Sequence, residues 1–343
     1  MNTSTRSLLL EINSLQTWFD TRAGTVKAVD GVDLTLARGE ILGLVGESGS
    51  GKSVMGYSIM RLIDLPGRIV GGSIKFYGEG TQNEDLVNAT SDRMRRLRGS
   101  HIAMIFQDPM MSLNPVLRID TQMIEAIQAH AKVSNKVARD RARDMLGKVG
   151  IPSPEERLQA YPHQFSGGMR QRVAIATAML NKPELIIADE PTTALDVTVQ
   201  AQILYEVRKL CRESGTALIW ITHDIALISG LADRIAVMYA GRVVETGLVR
   251  DVIAAPRHPY TAGLMGSVPS NNPRGKPLRQ IPGMTPSLSN LPKGCAFAPR
   301  CERATVTCQQ VPQESPVGAE HKVRCFHPIE SIPAQSRHDR IKV

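Results

Sequence analysis

Gly46-Glu47-Ser48-Gly49-Ser50-Gly51-Lys52-Ser53 fills the phosphate-loop pattern G-x-x-x-x-G-K-S without a mismatch. Its surroundings are the ones that pattern requires. The apolar strand Glu40 to Val45 leads in, and Lys52 to Ile63 reads as a helix stopped by Pro66 and Gly67. Glycines let the backbone curl so that successive N–H groups face an anion. A helix N-terminus adds partial positive charge at the same spot. Lys52 supplies a full charge for the β- and γ-phosphates of a nucleoside triphosphate, and the Ser53 hydroxyl is a hard oxygen ligand for Mg²⁺.

A second apolar strand, Leu185 to Ala188, ends in two carboxylates, Asp189 and Glu190. A buried strand delivers its last residues to the sheet edge, where the phosphate loop also lies. Asp189 is placed to hold Mg²⁺ and Glu190 to polarise an attacking water.

Outward from these motifs, further strands are expected at Ser73 to Tyr77, Ile102 to Phe106, Ala217 to Ile221 and Ile235 to Tyr239. Leu8 to Leu36 reads as two short strands around a Gly24 turn. Strands alternating with helices give an α/β fold with a parallel sheet covered on both faces. Apolar residues from Asp120 to Gly150 recur at helical spacing throughout, and Gly167 to Leu180 is another helix. The stretch from about 108 to 180 thus reads as a helical subdomain inserted into a nucleotide-binding domain spanning 8–254. Beyond Pro256 the chain turns rich in Pro, Gly, Ser and Asn, giving a linker and small loop-rich module over 255–335.

Hydrophobic residues make up 42% of the 343 and charged residues 22%, the balance of a soluble globular chain. Aromatics are only 4%, so aliphatics and Met must build the core. No apolar run approaches the ~20 residues of a membrane-spanning helix. Leu8 to Leu10 is too short for the apolar core of a signal peptide, so a cytoplasmic location is expected. The net charge of +8 is concentrated at the end: residues 255–343 hold 12 Lys or Arg against 5 Asp or Glu. Such a tail is compatible with nucleic acid, anionic lipid or an acidic partner, or is simply solvated. Four of the five cysteines, Cys295, Cys301, Cys308 and Cys325, also cluster there. In a cytoplasmic chain that points to metal rather than disulfides. Cys211 stands apart on a helix, as a small buried hydrophobe.

Phe165-Ser166-Gly167-Gly168-Met169 lies just ahead of the carboxylate strand, with Ser166 23 residues before Asp189. This segment resembles the Leu-Ser-Gly-Gly-Gln signature of ABC ATPases. Phe165 and Met169 depart from it; Ser166, Gly167 and Gly168 are kept. The resemblance extends to other motifs. Gln107 is similar to the Q-loop glutamine that touches Mg²⁺ and the membrane subunits. Ala194-Leu195-Asp196 is similar to the D-loop, and His223 to the switch histidine. Phe19, with Trp18 second, stands where the family places an aromatic against adenine. The resemblance covers about residues 8 to 250 and implies ATP hydrolysis in a dimer. There, Ser166, Gly167, Gly168 and Met169 of one subunit contact ATP held by the loop of the other.

The end of the chain resembles the oligopeptide and dipeptide importer ATPases in two places. One is His258-Pro259-Tyr260-Thr261; the other is Cys295-Ala296-Phe297-Ala298-Pro299-Arg300-Cys301 with Cys308 and Cys325. The resemblance implies an ATP-hydrolysing subunit powering peptide import, with nickel or glutathione as alternative cargo. It further implies a second ATPase subunit, in a heterodimer, two permeases and an extracytoplasmic binding protein. The location implied is peripheral, on the cytoplasmic face of the inner membrane. A 4Fe–4S cluster on the four cysteines is expected, with zinc as the alternative, because their spacings of 5, 6 and 16 residues are not those of a zinc ribbon. A soluble ABC protein acting on DNA or ribosomes is the competing class. Only 58 residues separate Gln107 from Ser166, which leaves no room for the long coiled coil such proteins carry, so no nucleic acid is expected.

Overall fold

The computed structural model describes residues 6–80, 83–193, 195–273, 275 and 277–330. Ala194 and the last five residues of the expected 255–335 module lie outside the described residues.

Strands β1 (Leu8–Thr21) and β2 (Gly24–Ala37) form an antiparallel hairpin, longer than the two short strands expected. Gly24 turns it at φ +121, a conformation glycine adopts without steric cost. Strand β3 (Ile41–Val45) is wholly buried and feeds helix α1 (Lys52–Met60). That helix stops short of Ile63 because Arg61 takes a left-handed conformation and its N–H closes on the Tyr57 and Ser58 carbonyls. Strand β4 (Gly67–Phe76) begins six residues before the expected Ser73, and β5 (Glu84–Asp85) completes a four-stranded sheet ordered β2-β1-β4-β5.

Helix α2 (Ser91–Leu97) precedes β6 (Ile102–Ile105). The run expected to be helical from Asp120 to Gly150 is two helices, α3 (Ile119–Gln128) and α4 (Asn135–Lys148). The break falls at Ser134, whose hydroxyl accepts the Val137 N–H at 3.3 Å and starts a new helix. Helices α5 (Pro154–Leu158) and α6 (Gly167–Met179) complete a helical block in which α4 packs on α3, α5 and α6.

The remaining core elements are β7 (Leu185–Asp189), α7 (Val197–Ser214), β8 (Ala217–Thr222), α8 (Ile225–Leu231), β9 (Arg234–Tyr239), β10 (Arg242–Leu248) and α9 (Val249–Ala254). Helix α10 (Pro259–Gly266) and two short strands, β11 (Ser315–Pro316) and β12 (Lys322–Val323), follow. The main sheet is ordered β11-β12-β10-β9-β3-β8-β7-β6. The five strands β9-β3-β8-β7-β6 run parallel, as the alternation of elements requires, but β10, β12 and β11 add antiparallel pairs on one edge. The C-terminal segment therefore extends the core sheet directly. One hydrophobic core joins the helical block, α7 and α8 to the sheet; a second fills the space between the hairpin sheet, α1 and the other face. Among the described residues, no helix is long and apolar enough to cross a membrane.

Because β3, β8, β7 and β6 are parallel neighbours, their C-terminal ends share one edge. That single topological fact brings Gly46, His223, Asp189, Glu190 and Gln107 to the same place.

Candidate nucleotide site

The loop after β3 is built where only glycine fits. A Cβ on Gly46 would come within 2.2 Å of the Met238 carbonyl oxygen, and one on Gly51 within 2.1 Å of the Ala28 carbonyl oxygen. Gly51 also sits at φ +99. Lys52 is buried, and its Nζ donates to the Gly46 and Glu47 carbonyls at 2.8 and 2.9 Å. Those two bonds hold the ammonium inside the loop's curl. Burial lowers its pKa, and the carboxylates of Glu190, Asp189 and Glu47 oppose that shift.

Ser53 Oγ donates to Asp189 Oδ1 at 2.9 Å, so the two oxygens expected to share Mg²⁺ already lie side by side. Asp189 is 2% exposed; burial raises its pKa against the Ser53 hydrogen bond. A divalent cation would favour the ionised form and displace that bond. Glu190 takes a left-handed backbone, φ +43, which is rare outside glycine and concentrates at functional positions. Its N–H donates to the Ile221 carbonyl at 3.0 Å, tying it to β8. Glu190 Oε2 accepts from Thr193 Oγ1 at 3.0 Å and lies 3.1 Å from His223 Nδ1.

These groups open onto a cleft of about 780 Å³ lined by Phe19, residues 47–53, Gln107, Glu190 and His223. Phe19 lines it, together with Val26 across the hairpin; Trp18 instead carries Lys27 over its ring at 4.6 Å. Leu288, from the C-terminal segment, lines the same cleft.

Ser166, Gly167, Gly168, Met169 and Asp196 do not line this cleft. Ser166 caps α6, accepting the Met169 N–H at 3.3 Å, and Asp196 caps α7, accepting the Val199 N–H at 3.0 Å. The two caps adjoin: a Cβ on Gly167 would lie 3.8 Å from Leu195, and one on Gly168 3.0 Å from Val199. Phe165, in place of the family's leucine, is 2% exposed and part of the core.

Sequence reasoning missed a set of contacts on Glu47. Tyr260 Oη accepts its N–H at 2.8 Å, and its carboxylate accepts from Thr285 Oγ1 at 2.8 Å and from both terminal nitrogens of Arg300. The His258-Pro259-Tyr260-Thr261 motif was visible, but nothing local in sequence marks Thr285 or Arg300. They sit 238 and 253 residues from their partner.

The four C-terminal cysteines line one small cavity of about 10 Å³. Cys295 N–H donates to the Cys308 carbonyl at 2.9 Å. Burial, together with the neighbouring Cys295, Cys301 and Cys308, pushes the Cys325 thiol up to about 11. Among the described residues, no group of three or more His, Cys, Asp or Glu is arranged to hold a metal ion. Cys211 is buried on α7, and burial pushes its thiol up to about 12.

Two family models match the chain: ABC transporter over residues 29–193, and oligopeptide/dipeptide transporter, C-terminal region, over 244–308. The oligopeptide transport ATP-binding protein OppD of Salmonella typhimurium is 46% identical over 326 residues, 95% of this chain and 96% of that one. The dipeptide transport ATP-binding protein DppD of Bacillus subtilis is 47% identical over 320 residues, 93% of this chain and 94% of that one. Among solved structures, the dimeric ATP-binding cassette MJ0796, in a post-hydrolysis state bound to ADP and Pi, superposes with a TM-score of 0.63. It is 27% identical and covers 71% of this chain and 99% of its own. With its phosphate loop, paired carboxylates and cassette fold, the chain belongs to the ATP-hydrolysing subunits of ABC transporters, in the branch that carries the oligopeptide/dipeptide transporter C-terminal region.

Proposed function

We propose that this chain powers the import of dipeptides or oligopeptides, hydrolysing ATP at the cytoplasmic face of the membrane as a peripheral subunit. The observation that carries the chemistry is the run of contacts Ser53–Asp189 and Glu190–His223 at one end of the cleft, beside a buried Lys52. Cargo class rests on the relatives that share the C-terminal region, which are named for oligopeptide and dipeptide transport.

ATP lies with its triphosphate along residues 46–53 and its adenine against Phe19. Lys52 and the loop amides neutralise the β- and γ-phosphates. Ser53, Asp189 and Gln107 would hold Mg²⁺, which when bound would supply positive charge to offset that of the phosphates. Glu190 orients water in line with the γ-phosphorus and takes its proton as the bond to the β–γ bridging oxygen breaks. His223, 3.1 Å from that carboxylate, holds it in place and senses the γ-phosphate. Ser166, Gly167, Gly168 and Met169 contact the γ-phosphate on a second ATPase subunit, and Asp196 serves the shared site from the D-loop. Their absence from this chain's own cleft supports that division. The assembly is a heterodimer of two ATPases with two permeases and an extracytoplasmic binding protein.

The direct test is ATPase activity of the reconstituted transporter with a peptide-loaded binding protein. Dipeptides or oligopeptides should stimulate turnover; stimulation by nickel or glutathione instead would move the cargo assignment and leave the ATPase intact.

The finer reading of the C-terminal segment is a four-thiolate site on Cys295, Cys301, Cys308 and Cys325. Its support is the donor set: four thiols around one cavity, three of them with pKa values raised by burial. That is the setting in which a central cation offsets the cost of ionising them. Protein purified without oxygen should be brown and contain iron and sulfide. One equivalent of zinc in colourless protein would keep the site and reject the 4Fe–4S cluster; neither metal would reject both.

A further inference from the structure

Glu47 is a carboxylate inside a loop whose purpose is to attract anions. Left bare, its charge would oppose the triphosphate that Lys52 attracts, and the two side chains are close enough to influence each other's ionisation. The structure does not leave it bare. Both carboxylate oxygens are taken by Arg300 in a bidentate pair, at 2.7 and 3.0 Å. This fork-on-carboxylate geometry gives two charge-assisted hydrogen bonds, each stronger than a neutral one, and adds geometric specificity.

Arg300 is itself held rigidly. Its side chain is 6% exposed, its Nε donates to the Pro282 carbonyl at 2.9 Å, and its guanidinium lies 5.9 and 6.0 Å from the Tyr239 and Phe297 ring centres. Phe297 meets Tyr239 edge-on at 5.3 Å and tilts on Tyr260 at 5.5 Å. Tyr260 in turn accepts the Glu47 N–H. In a chain so poor in aromatics, three of them are spent on this one joint. Arg300 immediately precedes Cys301 and follows Cys295 by five positions, so its place depends on how the cysteine-lined segment folds.

We propose that Arg300 is a positioning residue for ATP: it neutralises Glu47 and, with Tyr260 and Thr285, fixes the first turn of the phosphate loop, so that the folded cysteine segment sets nucleotide affinity. This rests on the reading of residues 46–53 as the triphosphate site. Burial alone would raise the Glu47 pKa; the hydrogen bonds from Arg300 and Thr285 and the charge of Arg300 outweigh it and hold the carboxyl below its usual range.

Binding of a non-hydrolysable ATP analogue with Mg²⁺ is measured for the full chain, with the kcat and KM of the assembled transporter alongside. Arg300→Ala should weaken analogue binding about tenfold, through the loss of a charge-assisted bidentate pair, with kcat at saturation changed less than about threefold. Arg300→Lys, which keeps charge but loses the fork, should fall between. The deciding variant is Arg300→Ala with Glu47→Gln. Removing the unpaired carboxylate should restore binding to within about threefold of wild type, a rescue that mere misfolding would not allow. Arg300→Ala binding as wild type does, or failure of Glu47→Gln to rescue, overturns the proposal. Lys52→Ala serves as the separate check: undiminished binding in that variant would sink the triphosphate reading itself.

Discussion

At the phosphate loop the decisive residues are those without side chains. Gly51 combines φ +99 with a carbonyl oxygen 2.1 Å from where a Cβ would stand, so alanine there meets both backbone strain and a backbone atom that does not yield. Strain of this kind alone is worth about 1–3 kcal/mol. Gly51→Ala should therefore weaken ATP binding at least about tenfold, while Gly49→Ala, with open space around its Cβ and only φ +77 to contend with, should cost less. An equilibrium titration ranks the two; equal losses would show that steric fit at Ala28 is not what shapes the loop. At the same scale Glu190 accepts an unfavourable backbone to point at His223, the kind of local cost that a sequence does not display. What the sequence did display was chemistry at fixed spacing: Gly46 to Ser53, and Asp189 with Glu190, can be read because each cluster is continuous in the chain.

Elements were legible where their burial follows a simple period. The buried strands β3, β7, β8 and β9 read as apolar runs, and all four form within a residue of the expected bounds. The run from Asp120 misled because apolar periodicity continues across Ser134, and a hydroxyl cap outweighed it. Strand β10 was missed because Arg242 and Glu245 break its pattern. Glu245 is in fact 1% exposed and accepts the Arg257 and His258 N–H groups at 2.7 and 2.8 Å, with His321 Nε2 at 2.7 Å. This carboxylate joins the cassette to the segment that follows. His258 then caps α10 through Nδ1, which accepts the Tyr260 N–H at 3.0 Å and so must be unprotonated. Burial pushes its pKa down to about 4, against the pull of Glu245. A lowered folded pKa means that the unfolded chain binds the extra proton first. Stability is thus complete above about pH 6.5 and falls by about 1.4 kcal/mol per unit toward pH 4, about 3 kcal/mol in all. Urea unfolding at pH 7 and pH 5 measures this. His258→Asn, which caps without titrating, should remove most of the difference; an unchanged difference would place the pH dependence elsewhere.

Over the whole molecule, the α/β class and the helical insertion followed from the order of strands and helices. The attachment of the tail did not. Its basic residues were compatible with an external partner or with plain solvation; in the structure Arg300 pairs with Glu47, Lys322 with Glu314, and Arg324 donates to the Val243 and Pro312 carbonyls. The Arg300–Glu47 pair, 253 residues apart, carries no periodic or local signal. The sheet gathers the loop, the carboxylates and His223 on one edge, and Ser166 does not line that cleft. Glu190 is where this account is most exposed. In the assembled transporter, Glu190→Gln should lower ATP turnover by at least about a thousandfold, or roughly 4 kcal/mol of barrier, with ATP affinity kept and the subunits trapped together. Turnover within about tenfold of wild type, a loss of only ~1.4 kcal/mol, would contradict it.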